Sequence, residues 1–305
     1  MSRQVFEEIK DLTTEAIHPR AGELDRMTVG EILQFMAEED AKVAPAVRAV
    51  LPQVEQAVDR VLRSFAAGGR LIYIGAGTSG RLGILDAAEC PPTFGSPPEQ
   101  VTGVIAGGRE SVFRAQEGAE DRQEQGGRDL EALGLADRDT VVGITASRRT
   151  PYVLGALEYA RSVGAATVLL ICNLPDPAAA GQAADVVIAP VLGPEVVMGS
   201  TRLKAGTATK IILNLITTAA FVRQGKVYRG MMVDLRAGSQ KLQARSRRVL
   251  MLATGLDFDQ ADELLARAGG QLKTAIVMAL CGVEADPARE MLERAGGFVR
   301  GAVGK

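Results

Sequence analysis

One histidine, three cysteines and no tryptophan in 305 residues exclude whole classes of chemistry before any motif is read. A triad with a histidine base would have to use His18. Zinc sites built from clustered His and Cys are equally hard to assemble, because Cys90, Cys172 and Cys281 are widely separated and show no C-x-x-C spacing. Charge of one sign is also lacking: 35 basic and 37 acidic side chains leave a net charge of −2 and a pI near 5.7. Without a basic excess, no nucleic-acid partner is expected. The odd cysteine count, the missing charged-then-apolar leader and the absence of an uninterrupted apolar run of spanning length predict a reduced, cytoplasmic protein with no membrane association. Its three thiols are expected to be buried. Carboxylates remain as the acid and base groups.

What the chain does have is glycine, 34 residues placed as punctuation rather than as a repeat. Residues 28–66 read as helix, with Thr28 capping, Glu31 three positions later, and Pro45 and Pro52 breaking or kinking the run. After Gly68 and Gly69, short apolar strands alternate with helical stretches. Strands are predicted at Leu71 to Ile74, Val101 to Ile105, Thr140 to Thr145, Thr167 to Cys172 and Val186 to Ile188, with helical segments such as Ser111 to Leu133 and Tyr152 to Val163 between them. Five strands apolar on both faces and joined by helical crossovers specify an α/β fold, a three-layer, doubly wound, five-stranded parallel sheet. Ser200 to Arg223 reads as one long small-residue helix. From about Lys241 onward only short helical blocks remain, a compact three-helix tail.

The first strand runs into Gly75, Gly77 and Gly80, which satisfy G-x-G-x-x-G. A nicotinamide site also needs an acidic side chain at the end of the second strand, and that strand ends in Ala106, Gly107 and Gly108. What remains is a turn with Thr78 and Ser79 at a helix start, where free amides and the helix dipole favour a phosphate monoester. The third strand leads into a similar turn, Thr145 to Pro151, carrying Ser147, Arg149 and Thr150. The two turns predict a phosphate clamp at the carboxyl ends of the strands, although helix capping accounts equally well for Ser147 and Thr150.

Two carboxylates stand out. Glu89 falls in the last turn of an apolar helix that Pro91 and Pro92 are expected to end, a poor place for a carboxylate against the helix dipole. Glu120 is expected on the helix after strand two, on one face with Glu117, where a solvated surface is the ordinary reading. A continuous helix carries Glu89 roughly 15 Å beyond Ser79. A sugar phosphate is shorter than that, so the two are expected to serve different sites, each completed across a homodimer contact.

At these residues the chain resembles the N-acetylmuramic acid 6-phosphate etherases, which are built on the sugar isomerase (SIS) fold. The resemblance rests on LIYIGAGTSGRLGILDAAECPPTFG at residues 71–95, IAGG at 105–108, EGAED at 117–121, TPY at 150–152, GSTRLKAGTA at 199–208 and MVD at 232–234. It implies Glu89 as the catalytic acid and Glu120 as the second catalytic carboxylate. Gly77, Thr78, Ser79, Gly80, Ser147, Arg149 and Thr150 fall in its sugar-phosphate loops, with Ser200, Thr201 and Lys204 as further candidates. It implies an N-terminal helical region at 1–56, a sugar-phosphate domain at 57–224, and a linker and small ubiquitin-associated-like helical domain at 225–305. A homodimer with shared sites is implied, and a reaction that releases D-lactate with no metal or organic cofactor. An isomerase of sugar phosphates or a non-catalytic sugar-phosphate sensor would use the same fold. The sequence departs from the family where Arg148 replaces a usual Gly, Arg229 and Gly230 replace Gly-Asn, residues 237–239 replace Ala-Thr-Asn, and His18 stands where Asn is common. Arg148 could tighten phosphate binding or obstruct its turn. His18 is expected to be stacked or capped by its neighbours.

Overall fold

A computed structural model describes residues 2–174, 183–235 and 238–304; Ala237 falls outside them. The chain divides into two compact units, one of residues 1–87 and 99–216, the other of 88–98 and 217–305.

In the first unit, α1 (Ser2–Ile9) is followed by three helices where a single broken one is expected, α2 (Val29–Asp40), α3 (Val43–Ala49) and α4 (Leu51–Ala66). Thr28 and Glu31 form a reciprocal capping box at the start of α2. Pro45 and Pro52 sit in the first turns of α3 and α4, where a missing N–H leaves no carbonyl unpaired. Val54, Val58, Val61 and Phe65 make the buried face of α4, at the spacing of one helical stripe.

The sheet is parallel, in the order β2 (Val101–Ile105), β1 (Leu71–Gly75), β3 (Thr140–Ile144), β4 (Ala166–Leu170) and β5 (Val186–Ile188). Strands β1 and β3 are fully buried along their length, as apolar runs covered on both faces must be. The chain leaves β1 toward β2 on one side and reaches β3 on the other, so the switch point lies between β1 and β3.

Three helix boundaries differ from the sequence reading. α5 (Gly77–Phe94) runs through Pro91 and Pro92 and stops only at Gly95, whose φ of 64° is left-handed. An ideal Cβ on Gly95 would lie 2.0 Å from the Asp234 carbonyl oxygen, so no side chain fits there. Residues 113–122 are not helical. Gly118, at φ 71°, breaks the right-handed course, and α6 is confined to Gln123–Ala132. α7 (Pro151–Val163) follows β3. The long helix, α8 (Lys204–Arg223), begins four residues late, because the buried Glu195 carboxylate accepts the amides of Lys204 and Ala205 and fixes the start there. By length and a mean hydropathy of 1.4, α8 could cross a bilayer, but half of it is buried in the protein. Two of its polar side chains are engaged inside the protein, Lys204 donating to Glu39 at 2.7 Å and Asn214 to Asp86 at 2.6 Å.

The second unit packs α9 (Gln240–Thr254), α10 (Phe258–Arg267), α11 (Leu272–Cys281), α12 (Ala285–Arg294) and α13 (Val299–Ala302) around Leu250, Ala261, Ile276, Val277 and Ala288. It also holds the two-residue strands β6 (Val227–Tyr228) and β7 (Met231–Met232), joined through Arg229 and Gly230 at φ 49° and 76°. Cys90 and Cys172 are buried, and burial pushes the Cys172 thiol up to about 12. Cys281, at the end of α11, is only half-buried, contrary to expectation.

Candidate functional site

The turn after β1 is built by close approach. A Cβ on Gly80 would meet the Gly75 carbonyl at 2.7 Å and an Ile105 side-chain carbon at 2.6 Å, so only glycine lets α5 start this near the sheet. The first amides of α5 have no carbonyl within the helix to bond, and Thr78 and Ser79 stand half-buried among them. The spacing of glycines that resembles a dinucleotide motif thus serves a tight helix start against the sheet, with free amides of the kind that suit an anion.

Neither Ser147 nor Thr150 caps α7. Thr150 instead pairs its hydroxyl with Thr145 at 2.7 Å, and the Ser147 hydroxyl accepts the Arg149 amide at 3.4 Å. Arg148 adopts φ 60°, the left-handed conformation that a glycine takes most readily, and its guanidinium donates to the Leu174 carbonyl at 3.0 Å. Asn173, just beyond β4, donates to the Ala146 carbonyl at 2.8 Å and to the Thr14 hydroxyl at 3.1 Å. Thr14 in turn accepts the Gly199 amide at 3.0 Å through its carbonyl. At the head of α8, a Cβ on Gly206 would lie 3.6 Å from both the Thr201 carbonyl oxygen and the Thr78 methyl. The loops after β1, β3 and β4, the turn at 199–203 and the N-terminal segment therefore meet at the carboxyl ends of the strands.

Glu120 lies on the irregular loop before α6 rather than on a helix. Its carbonyl accepts the Tyr152 amide at 3.0 Å, which fixes this loop against the start of α7, and the Tyr152 hydroxyl is anchored on Asp129 at 2.6 Å. Although the residue is exposed overall, partial desolvation pushes the Glu120 carboxyl upward. The neighbouring Asp121 and Glu117 charges add to this and Arg149 opposes it. Glu89 is exposed one turn before the end of α5, with no side-chain partner among the described residues. The Lys204 ammonium is buried and committed to Glu39 at 2.7 Å and to the Pro194 carbonyl at 2.8 Å. Glu39 and Asn173 escape sequence reading because their partners Lys204 and Thr14 lie 165 and 159 positions away, and Glu195 because no local pattern marks a carboxylate that caps a helix nine residues on. Among the described residues, no three His, Cys, Asp or Glu side chains are placed to hold a metal ion.

A five-stranded parallel sheet with hydroxyl-rich turns at its switch point defines a doubly wound α/β protein of the kind that binds ligands at the carboxyl ends of its strands. Residues 53–161 match the family model of the glucokinase regulatory protein N-terminal SIS domain. A solved phosphoheptose isomerase from Neisseria gonorrhoeae is 19% identical, with a TM-score of 0.48 over 63% of this chain and 99% of that one. The N-acetylmuramic acid 6-phosphate etherase of Salinibacter ruber is 52% identical over 91% of this chain and 89% of its own length. That of Mycolicibacterium smegmatis is 52% identical over 89% and 90%. The chain belongs to the N-acetylmuramic acid 6-phosphate etherase family.

Proposed function

We propose that the chain cleaves the lactyl ether at C3 of N-acetylmuramic acid 6-phosphate, releasing N-acetylglucosamine 6-phosphate and D-lactate, in cytoplasmic recycling of cell-wall amino sugars. Half-identity to the etherases over nine-tenths of the chain supports the reaction. The observation that carries it within the molecule is Glu120, a carboxyl with a raised pKa whose loop is tied to the start of α7, two residues beyond Thr150.

In the open-chain sugar, the C2 proton is acidified by the C1 aldehyde. Glu120, ionised, takes that proton, and the freed electron pair forms the C2–C3 double bond as the C3–O bond breaks. Glu89, protonated, gives its proton to the departing lactate oxygen. Water then adds at C3, yielding a proton to Glu89, while Glu120 returns its proton to C2. The sum is addition of one water across the ether. Gly77, Thr78, Ser79 and Gly80, together with Ser147, Arg149 and Thr150, hold the phosphate in this reading, with Ser200 and Thr201 at its edge. No step calls for a metal or an organic cofactor. Residues 57–224 act as the sugar-phosphate domain, between the N-terminal region 1–56 and the tail 225–305.

Each site is completed in a homodimer. α5 is unbroken from Gly77 to Phe94, so Glu89 stands about 15 Å along it from Ser79. Leu85, one turn before Glu89, is half exposed and offers an apolar position to a partner. Incubation with N-acetylmuramic acid 6-phosphate and assay for D-lactate is the direct test. No lactate from intact dimeric protein overturns the reading, and a ketose product without lactate points to an isomerase. Solvent deuterium exchange at C2 assigns the carboxylates: exchange lost in Glu89→Gln but kept in Glu120→Gln would reverse their roles.

A further inference from the structure

The only histidine of the chain lies in a buried ionic cluster that the reaction does not use. His18 packs edge-on against Phe35 with ring centroids 4.9 Å apart, and its Nδ1 accepts the Arg20 amide at 3.1 Å. That bond leaves the ring proton on Nε2, which lies 3.1 Å from Glu39 Oε1. The other oxygen of Glu39 accepts Lys204 at 2.7 Å, and Lys42 reaches Oε1 at 2.6 Å. His18, Glu39 and Lys204 are all nearly inaccessible to solvent. The cluster ties three elements together: the N-terminal segment, the end of α2 and the first residue of α8. Each end of it reaches the loops at the carboxyl ends of the strands. Thr14, four residues before His18, is bonded to Asn173 and Gly199, and Lys204 directly follows the turn that carries Ser200 and Thr201.

We infer that His18, Glu39 and Lys204 are positioning residues. They hold the N-terminal segment and the 199–203 turn at the mouth of the cleft, so that Ser200 and Thr201 meet the sugar phosphate in one fixed arrangement. The inference rests on the proposed sugar-phosphate site. Lys204 on this account never touches substrate, since its ammonium is already occupied by Glu39 and Pro194. Without these anchors the turn would sample more conformations and meet the ligand less often.

The test separates positioning from stability. Replacing both members of a buried ion pair with apolar residues of similar size leaves no unpaired charge, and such exchanges are commonly neutral for stability. Glu39→Leu combined with Lys204→Met removes both buried charges but leaves the His18 Nε2–H and the Pro194 carbonyl without those partners, so it is expected to stay folded and to melt below wild type, while KM for N-acetylmuramic acid 6-phosphate rises roughly tenfold or more and kcat changes far less. Wild-type KM in a stable double variant overturns the inference. A second readout does not need the variant to fold: with one histidine, the imidazole signals in an NMR spectrum belong to His18 alone. Saturating wild-type protein with N-acetylglucosamine 6-phosphate is expected to shift them, and unmoved signals despite binding overturn the inference. Lactate release by wild type is measured first. Its absence defeats the etherase reading, whereas release with an undisturbed His18 and KM defeats only the positioning role.

Discussion

The guanidinium of Arg148 donates to the carbonyl of Leu174, joining the loop after β3 to the loop after β4 while the Arg148 backbone stands at φ 60°. Arg148 and Arg229 are the two described non-glycine residues with positive φ, and both stand where the resembled family usually has a glycine. A left-handed arginine costs about 1–2 kcal/mol that glycine would not. Arg148→Gly relieves that strain, loses one bond to a carbonyl and makes the unfolded chain more flexible. The variant is expected to unfold within about 1 kcal/mol of wild type by denaturant titration. Because the guanidinium is turned to Leu174, inhibition by inorganic phosphate is expected to change less than about threefold, against the tenfold or larger loss that removing a charged ligand contact brings.

Glu120 sets a pH signature. Desolvation and the charges of Asp121 and Glu117 raise its pKa above the ordinary 4.5, so the proposed base becomes protonated earlier as pH falls. The acid limb of kcat/KM is expected above pH 4.5. Arg149 pulls in the opposite direction, so Arg149→Gln removes a stabilising charge and moves that limb to still higher pH. A limb that moves downward in Arg149→Gln would show that a different group limits the rate.

Local patterns in the chain account for most of this fold, and long-range partnerships account for what they miss. The strands are legible because each is a short apolar run bounded by Gly or small polar residues, and their observed limits fall within two residues of the sequence reading. The turns of Thr78, Ser79 and Ser147 are legible as hydroxyl residues at strand ends. The loop of Glu120 is misread as helix because Glu-rich composition favours one, while a single left-handed Gly118 interrupts it. Pro91 and Pro92 are overrated as a stop: a proline pair forgoes two helix bonds, yet α5 continues to Gly95, where no side chain fits. Glu39 and Lys204 lie 165 positions apart, and nothing near either residue announces the other.

Their pairing also governs acid stability. Burial works to raise the Glu39 pKa, but hydrogen bonds from Lys204 and Lys42 and the Lys204 charge outweigh it, and the folded value falls to about 2 from 4.5. A depressed carboxyl contributes stability above its unfolded pKa and loses it as pH falls through the folded value. The window is therefore pH 4.5 down to about 2. Two and a half pKa steps correspond to no more than about 3–4 kcal/mol across that window. In Glu39→Gln the slope of unfolding free energy against pH is expected to flatten there, while stability at pH 7 drops because the buried Lys204 keeps its charge without a counterion. An unchanged slope would mean that Glu39 does not titrate with folding.

The proposed division of each site between two subunits makes a prediction that no single-site arrangement shares. Ser79 and Glu89 are ten residues apart on one unbroken helix, and the helical rise separates them by about 15 Å, more than a sugar phosphate spans. If the phosphate turn of one subunit works with the Glu89 of its partner, Glu89→Gln and Ser79→Ala homodimers are both impaired. A mixed dimer then holds one doubly defective site and one site with every group intact. Random mixing of equal amounts gives half mixed dimers, each with one good site of two, so about a quarter of wild-type activity should return. The measurement is D-lactate release after the two variants are unfolded together and refolded, compared with each refolded alone. Activity that stays at the sum of the separate variants would place Ser79 and Glu89 of the same chain in one site, and α5 would then have to be bent or shorter in solution than its eighteen residues imply.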